Sequence, residues 1–202
     1  FNIAVTNTND APTITSSAVT SVTENNAYSY TFAASDVDSG DSVTLSAPTK
    51  PSWLNFNANS GVLSGTPNNS HVGNHNVVLK AIDSSGAVDT QSFTISVANI
   101  NSTPTITSSA ITAVNEDTEY KYTLTATDSD NNDTLTLSAP TMPSWLSFNA
   151  NTGVLSGTPT NSHVGNHSVP LKAIDDGGVY NLQHFTITVT NVNDAPTKAN
   201  DI

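Results

Sequence analysis

The sequence repeats itself with a fixed offset of 92 residues. Residues 13–104 and 105–196 align without a gap and are identical at 59 of 92 positions. Self-similarity at a fixed period indicates an array of like units, and a period of this length suits an autonomous domain rather than one turn of a solenoid. The chain is therefore predicted to hold two tandem domains, residues 12–103 and residues 104–195.

The two ends of the chain carry pieces of the same pattern. Phe1–Pro12 reads Phe-Asn-Ile-Ala-Val-Thr-Asn-Thr-Asn-Asp-Ala-Pro, which is similar to Phe185–Pro196. We therefore expect residues 1–11 to be the last strand and linker of a preceding repeat. Residues 196–202 are expected to begin a following repeat, so the sequence predicts a segment of a longer array.

Aromatic and apolar residues alternate with polar ones in each repeat, which is the pattern of a half-buried strand. Tyr28, Tyr30 and Phe32 show this alternation, and proline and glycine separate the successive apolar runs. About seven such strands per repeat, without any amphipathic helix, predict an all-β fold: two tandem Greek-key β-sandwiches of the cadherin or immunoglobulin type. The predicted core anchors are Trp53, Leu54, Phe56, Trp145, Leu146 and Phe148.

The charge of the chain limits its classes of partner. It has 17 Asp+Glu against 5 Lys+Arg, for a formal net charge of -12. A chain this acidic repels nucleic acid and anionic membranes, and no apolar run approaches the ~20 residues that span a bilayer. We therefore expect no nucleic-acid partner and no direct membrane insertion. Cysteine is absent, so each domain must be stable without disulfides.

Acidic and amide side chains recur in four sets near the ends of the repeats. These are an early Glu, an Asp-x-Asp pair after the Tyr-rich strand, the Asp of Ala-Ile-Asp, and linkers of the type Asn-x-Asn-Asp. Ca²⁺ takes six to eight oxygen ligands, whereas Mg²⁺ keeps more of its waters. The sets together predict Ca²⁺ binding, while Asp41, Asp89 and Asp133 are expected to be solvated acids in turns.

A longer motif shows a family resemblance. Pro51–Pro67 and Pro143–Pro159 share the string Pro-Ser-Trp-Leu-x-Phe-Asn-Ala-Asn-x-Gly-Val-Leu-Ser-Gly-Thr-Pro. With this string and the order of its acidic sets, the chain resembles the dystroglycan-type cadherin-like domains of large bacterial surface proteins, which are also classed as immunoglobulin-like. The resemblance covers nearly the whole chain. It implies β-sandwich repeats that bind Ca²⁺ at the junction between neighbouring repeats.

Carried over by position, the resemblance implies three sets of calcium ligands. The set at the central junction is Glu24, Asn99, the backbone carbonyl of Ile100, Asn101, Asp128, Asp130 and Asp175. The set at the N-terminal junction is Asn7, Asn9, Asp10, Asp36, Asp38 and Asp83. The set at the C-terminal junction is Glu116, Asn191, Asn193 and Asp194.

Two departures from the cadherin pattern affect these expectations. The Leu-Asp-Arg-Glu motif of classical cadherins is missing, and His71–His75 occupies the comparable region, so fewer ions per junction are expected. The central linker has Ser102 where the outer linkers have Asp10 and Asp194. A lost carboxylate should weaken the central site, with an affinity in the micromolar to millimolar range of extracellular modules.

Other chemistry has weaker support in the sequence. His71 and His75, like His163 and His167, are four residues apart, a spacing that presents two zinc ligands only on a helix. A glycine interrupts each pair, so packing in a turn is the favoured interpretation. Nucleophile elbows, phosphate loops and zinc-protease motifs are absent, and we expect no enzymatic activity.

The leading hypothesis for function is a secreted or cell-surface spacer in an adhesin-like protein, stiffened by Ca²⁺ and in contact with the neighbouring repeats of its own chain. A second hypothesis is an adhesion module, homophilic or binding a cell-surface carbohydrate or protein; exposed Trp53 and Trp145 would favour a sugar site. A third is an accessory domain of a secreted polysaccharide-degrading enzyme.

Overall fold

The computed structural model describes residues 1–3, 6–130 and 133–195. The expected start of a following repeat at residues 196–202, and part of the expected leading strand, residues 4 and 5, lie outside the described residues. The chain divides into two compact units, Phe1–Ile100 (unit 1) and Asn101–Ile202 (unit 2). Both are β-sandwiches, which confirms the all-β fold predicted from the sequence.

Among its described residues, unit 1 has nine strands and one 3-10 helix, Asn69–His71. The strands are β1 (Thr13–Ile14), β2 (Ser21–Thr23), β3 (Tyr28–Thr31), β4 (Ala34–Ser35), β5 (Thr44–Thr49), β6 (Leu54–Asn57), β7 (Val62–Gly65), β8 (Gly73–Ile82) and β9 (Val88–Ala98). Two of the nine, β1 and β4, are two-residue segments that pair only with each other. The larger elements therefore number seven, as the sequence predicted.

The two sheets of unit 1 have the orders β2-β9-β8-β5 and β3-β7-β6. Strand β2 runs parallel to β9, and the remaining pairs in both sheets are antiparallel. The core lies between the sheets because alternate residues of each strand point inward. Tyr28, Tyr30 and Leu63 enter it from one sheet, and Leu79 and Ile95 enter it from the other.

Unit 2 repeats this arrangement with the sheet orders β11-β18-β17-β14 and β12-β16-β15. Its strands are β10 (Thr105–Ile106), β11 (Ala113–Asn115), β12 (Tyr120–Thr123), β13 (Ala126–Thr127), β14 (Thr136–Ser138), β15 (Ser147–Asn149), β16 (Val154–Gly157), β17 (Gly165–Ile174) and β18 (Tyr180–Thr190), with a 3-10 helix at Asn161–His163. No helix among the described residues is long and apolar enough to cross a membrane.

The two tryptophans lie in the cores, as the sequence predicted. Trp53 is 8% exposed and Trp145 is 9% exposed. Each stacks edge-on against a core tyrosine, with ring centroids 5.9 Å apart for the Tyr28–Trp53 pair and for the Tyr120–Trp145 pair. A flat sugar-binding platform needs an exposed ring, so neither tryptophan provides one.

Candidate metal centre

An acidic cluster in unit 1 follows strand β4. Asp36 Oδ1 accepts a hydrogen bond from the Asp38 N–H at 2.8 Å, and the Asp38 carbonyl accepts one from the Asp41 N–H at 3.3 Å. These short-range bonds fold the segment into a turn, which is the ordinary behaviour of Asp. The turn brings the three carboxylates together, with one oxygen of each within 4.8 Å of the others.

The linker that precedes β1 is held against this cluster by hydrogen bonds within unit 1. Asn7 Nδ2 donates to Asp38 Oδ1 at 2.8 Å, and the Asp10 N–H donates to Asp38 Oδ2 at 2.7 Å. Asn9 Nδ2 donates to Asp83 Oδ2 at 3.0 Å. These three bonds involve five of the six residues in the predicted N-terminal set. The sixth, Asp36, accepts a hydrogen bond from the Asp38 N–H.

Asp83 is buried at the turn between β8 and β9. Its Oδ1 accepts hydrogen bonds from the backbone N–H groups of Ser85, Gly86 and Ala87, at 2.6 to 2.9 Å. The Asn9 side chain, and then these backbone donors, hold the pKa of the Asp83 carboxyl below its usual value, against the opposite effect of burial. Asp83 is therefore an anchored anion that ties the incoming linker to the long β8–β9 hairpin.

Unit 2 has an equivalent cluster, formed by Asp128, Asp133 and Asp175. Asn101 Nδ2 donates to Asp175 Oδ2 at 3.1 Å, as Asn9 Nδ2 donates to Asp83 Oδ2 in unit 1. Burial, followed by repulsion from Asp176, Asp130, Asp128 and Asp175, raises the pKa of the Asp133 carboxyl. The described residues therefore hold like charges together at a site where a cation would offset the repulsion.

Carboxylate oxygens in both clusters are buried without any hydrogen-bond partner. These are the Oδ2 atoms of Asp36 and Asp41 in unit 1 and of Asp128 and Asp133 in unit 2. A buried anionic oxygen without a partner costs free energy unless a cation or donor satisfies it. Two oxygens bound to one Ca²⁺ can be at most about 5 Å apart, because each lies ~2.3–2.6 Å from the ion. The residues present therefore fit a hard cation with oxygen ligands.

The early glutamates are buried and hold the outgoing linkers. Glu24 and Glu116 are each 2% exposed. Glu24 Oε1 accepts a hydrogen bond from the Ile100 N–H at 2.8 Å, and Glu116 Oε1 accepts one from the Val192 N–H at 2.7 Å. The Glu116 Oε2 atom is buried without a partner. Each glutamate is thus fixed at the end of its unit where the chain leaves.

The remaining predicted residues are on the surface of the units, apart from Asp130. Asn99 and Ile100 are exposed at the end of unit 1, as are Asn191, Asn193 and Asp194 in unit 2. Asn193 Nδ2 donates to the adjacent Asp194 carbonyl at 3.5 Å. Asp130 is buried and does not belong to the three-residue cluster of unit 2, although its counterpart Asp38 belongs to that of unit 1. Within unit 2, the cluster therefore contains two of the predicted ligands, Asp128 and Asp175, together with Asp133.

Sequence reasoning assigned Asp41 and Asp133 to solvated turns, and the structure places both in the acidic clusters. Asp41 also accepts a hydrogen bond from Ser84 Oγ at 2.7 Å, which links it to the hairpin turn. The available signal was the spacing Asp-x-Asp-x-x-Asp, which recurs with the 92-residue offset. Asp89, the third acid assigned to a turn, is half-buried and accepts a hydrogen bond from the Ile14 N–H at 3.0 Å.

The histidine pairs lie beside the tryptophans. His71 and His75 have ring centroids 6.3 Å and 5.9 Å from that of Trp53, and His75 Nε2 lies 2.6 Å from the His71 carbonyl oxygen. His163 and His167 are placed in the same way around Trp145. Among the described residues, neither group of three potential metal ligands includes a histidine. The pairs therefore contribute to packing around the core.

Comparison with solved structures shows the same architecture in cadherins. A protocadherin gamma B4 extracellular domain aligns with 91% of this chain and 34% of its own, at 19% identity and a TM-score of 0.59. The first two repeats of human mucin-like protocadherin align with 90% of this chain and 98% of their own, at 19% identity and a TM-score of 0.57. At this identity the likeness shows the fold alone.

An endo-fucoidan hydrolase of glycoside hydrolase family 107 aligns with 90% of this chain and 29% of its own, at 22% identity and a TM-score of 0.41. This TM-score supports no functional inference. The chain thus spans about a third or less of the fucoidan hydrolase and of the gamma B4 protein. No curated protein matches it in sequence.

The family comparison covers both repeats. The family model described as "Putative Ig domain" matches residues 11–98 and again residues 103–190. These two matches include most of the chain and follow the repeat that is visible in the sequence. The chain therefore belongs to this immunoglobulin-like family, as two tandem domains with a cadherin-like fold.

Proposed function

We propose that each unit binds Ca²⁺ at its acidic cluster, and that the protein is a calcium-stiffened spacer in an adhesin-like extracellular protein. The observation that carries the calcium site is the set of buried, unpartnered carboxylate oxygens at equivalent positions of both clusters. The same atoms are left unsatisfied in both copies of the repeat. This recurrence favours a shared ligand over an accident of packing.

The chemistry of the cluster favours Ca²⁺ over other divalent ions. The clusters offer carboxylate oxygens, and the side chains of Asn9 and Asn101 lie beside Asp83 and Asp175; oxygen ligands of this kind suit a hard cation. Mg²⁺ requires near-octahedral geometry and keeps several waters, so it should bind more weakly. Zn²⁺ prefers histidine and cysteine, and the clusters contain neither.

The family resemblance extends this proposal to the linkers. On that pattern Glu24, Asn99 and the Ile100 carbonyl complete the site of Asp128, Asp130 and Asp175, and Glu116 serves a following repeat. Without Ca²⁺ the like charges repel one another; with it, ligands from successive repeats share one ion and the linker stiffens. This mechanical role needs no catalysis, and we propose that the chain is not an enzyme.

A calorimetric titration of the whole chain with Ca²⁺ tests the site. We expect uptake in the micromolar to millimolar range, with loss of the unit 2 site in Asp128→Ala and of the unit 1 site in Asp36→Ala. Glu119→Gln is the matched control, because Glu119 is an exposed acid of unit 2 outside the cluster. No heat of binding in the unmodified chain would refute the proposal.

Small-angle scattering with Ca²⁺ and with a chelator tests the spacer role. We expect the chelated chain to populate a wider range of dimensions, with a smaller effect at higher salt because screening weakens the repulsion. Identical scattering profiles in a chain that binds Ca²⁺ would contradict the proposed mechanical role, without contradicting the proposed calcium site. The burial of Trp53 and Trp145 removes the feature that would have favoured a sugar-binding module.

A further inference from the structure

A short turn at the same place in each unit contains a histidine that accepts a backbone hydrogen bond. In unit 1 this turn is the 3-10 helix Asn69–His71, and the Asn68 N–H donates to His71 Nδ1 at 3.1 Å. In unit 2 the Thr160 N–H donates to His163 Nδ1 at 3.0 Å. A backbone N–H can only donate, so the ring nitrogen that receives it carries no hydrogen. Both histidines are therefore neutral in the closed turn, with the ring hydrogen on Nε2.

The second histidine of each pair has a different requirement. His75 Nε2 lies 2.6 Å from the His71 carbonyl oxygen, and His167 Nε2 lies 2.6 Å from the His163 carbonyl oxygen. A carbonyl can only accept, so these ring nitrogens carry a hydrogen whether the ring is neutral or charged. Protonation of His75 therefore keeps its hydrogen bond. Protonation of His71 instead puts a hydrogen on Nδ1, and two donors then face each other.

The turn is joined to the segment that carries the buried early glutamate. The Asn25 N–H donates to the carbonyl of Pro67, the residue directly before Asn68, at 2.7 Å, and the equivalent bond of unit 2 has the same length. Asn25 follows Glu24 and has a φ of 61°. This left-handed conformation is uncommon outside glycine and persists where neighbouring contacts hold it. Opening of the histidine turn would loosen one of those contacts.

Other ionisable groups lie on the elements packed around the turn. His71 and His75 pack against the Trp53 ring, and Tyr28 packs edge-on against the same ring. Lys50 Nζ donates to the backbone carbonyl that follows Trp53, at 2.6 Å. A positive charge on His75 or Lys50 disfavours a second positive charge nearby, so both groups act in the same direction as the lost hydrogen bond.

Acidic groups have the opposite effect, because a nearby carboxylate favours a charged histidine. In unit 1 the acid on the neighbouring segment is Glu24, whose Oε1 already accepts a hydrogen bond from the Ile100 N–H. In unit 2 the corresponding segment carries two acids, Glu116 and Asp117, and the remaining ionisable groups are His167 and Tyr120. Unit 1 therefore offers the simpler test.

We propose that His71 and His163 make each unit sensitive to pH, because their protonation below about pH 6.5 opens the 3-10 turn. The open turn binds one proton more than the closed turn. The closed turn is therefore fully stable above the pH at which a solvated histidine becomes charged, and it loses stability as the pH falls further. The consequence is that mild acid loosens the end of each unit where the chain leaves. This inference does not depend on the calcium sites proposed above.

Two substitutions in unit 1 separate the roles of the two histidines. H71N replaces Nδ1 by an uncharged acceptor, because the asparagine Oδ1 is the same number of bonds from the backbone. H75Q is the matched control. The glutamine Nε2 can donate to the His71 carbonyl in place of the ring Nε2, and His71 can still titrate.

Two-dimensional NMR of the full chain in a chelator, from about pH 7.5 to about pH 5.5, measures the exchange of backbone N–H groups with water across the titration range of histidine. The reporters are the N–H groups of Asn68, Asn25 and Thr160. One proton per turn predicts a roughly tenfold loss of protection over this range, after correction for the intrinsic exchange rate. H71N should abolish the loss at Asn68 and keep it at Thr160, and H75Q should keep both.

Protection that is equal at both ends of the pH range in the unsubstituted chain overturns the proposal, as does a loss at Asn68 that persists in H71N. A loss at Asn68 without one at Asn25 overturns the consequence for the exit segment. If H71N does not fold, the ring nitrogen shifts of the unsubstituted chain carry the test. Protonation of His71 Nδ1 in step with the loss at Asn68 supports the proposal, and protonation while Asn68 stays protected overturns it.

Discussion

At the scale of single residues, the acids of the clusters have two roles. Asp36 and Asp128 organise the turn by accepting a backbone N–H on one oxygen, and their other oxygen is buried without a partner. The first role stabilises the fold in any ionic condition. The second costs free energy when no cation is present, so the proposed binding of an ion would relieve a cost that the metal-free fold carries.

Asp133→Asn should therefore have opposite effects with and without Ca²⁺. In the presence of a chelator we expect the melting temperature to rise by a few degrees, because the substitution removes one of several repelling carboxylates. With Ca²⁺ we expect the affinity of unit 2 to fall by about tenfold or more, since ligand charge tunes the binding constant. Differential scanning calorimetry measures both, and a melting temperature that falls in chelator would contradict the prediction.

At the scale of elements, close packing explains the second glycine of the Gly-Val-Leu-Ser-Gly string, the residue at which strands β7 and β16 end. Gly65 and Gly157 lie against the backbone carbonyls of Trp53 and Trp145. A Cβ at either position would overlap the carbonyl oxygen, which belongs to the backbone and cannot rotate away. The glycines are therefore required by close packing of the strand on the tryptophan segment, and the tryptophan ring can then fill the core.

Gly157→Ala should destabilise unit 2 by about 1–3 kcal/mol or more, the usual cost of forcing extra atoms into a packed site. Chemical denaturation followed by tryptophan fluorescence measures the free energy of unfolding. Ser156→Ala, at the adjacent residue of the same strand, is the control and should change stability by well under half as much. A Gly157→Ala protein with unchanged stability would show that the strand can move away at little cost.

The core tyrosines of β3 and β12 make the sandwiches sensitive to alkali. Burial, with a smaller contribution from the neighbouring Tyr30, raises the pKa of Tyr28 to about 12. Tyr120 is shifted in the same direction for the corresponding reasons, with Tyr122 as the neighbour. The Tyr28 hydroxyl donates to the Val19 carbonyl at 2.8 Å, and deprotonation would remove this bond and leave a charge in the core.

The direction of the pH effect follows from linkage. The pKa of Tyr28 is higher in the folded chain than the ~10 of an unfolded chain, so stability is full below pH ~10 and falls as pH rises toward 12. Denaturation at a series of pH values measures the slope. In Tyr28→Phe the slope should be smaller, and stability at neutral pH should fall by about 1 kcal/mol because one hydrogen bond is lost. An equal slope in the variant would contradict this assignment.

At the scale of the whole molecule, each unit has its own core and its own acidic cluster. The formal net charge of -12 is therefore partly concentrated where a divalent cation would offset it. Binding to the folded chain and not to the unfolded one would couple the ion concentration to stability.

Calcium should raise the melting temperature of both units, but not at the same concentration. At a free Ca²⁺ concentration of 100 times the dissociation constant, each site should contribute about 2.7 kcal/mol. The linker of unit 2 has Ser102 where the linker of unit 1 has Asp10. Because a lost carboxylate weakens a calcium site, unit 2 should respond at higher Ca²⁺ than unit 1. Hydrogen exchange, resolved by unit, measures this order, with Mg²⁺ as the control ion. Simultaneous stabilisation of both units would contradict the predicted order.

The sequence by itself determined the β-sandwich fold, the core and the classes of residue at the site. Tyr28, Trp53 and their counterparts could be predicted because strand alternation and a 92-residue repeat are local or periodic signals. Only the tertiary structure decided which acids meet. Asp41 joins Asp36 through a turn, Asp175 comes to Asp133 from a distant hairpin, and Ser102 engages Asp130 across 28 residues. Hydrogen bonds and charge repulsion act over distances in space, and spacing along the chain does not specify those distances.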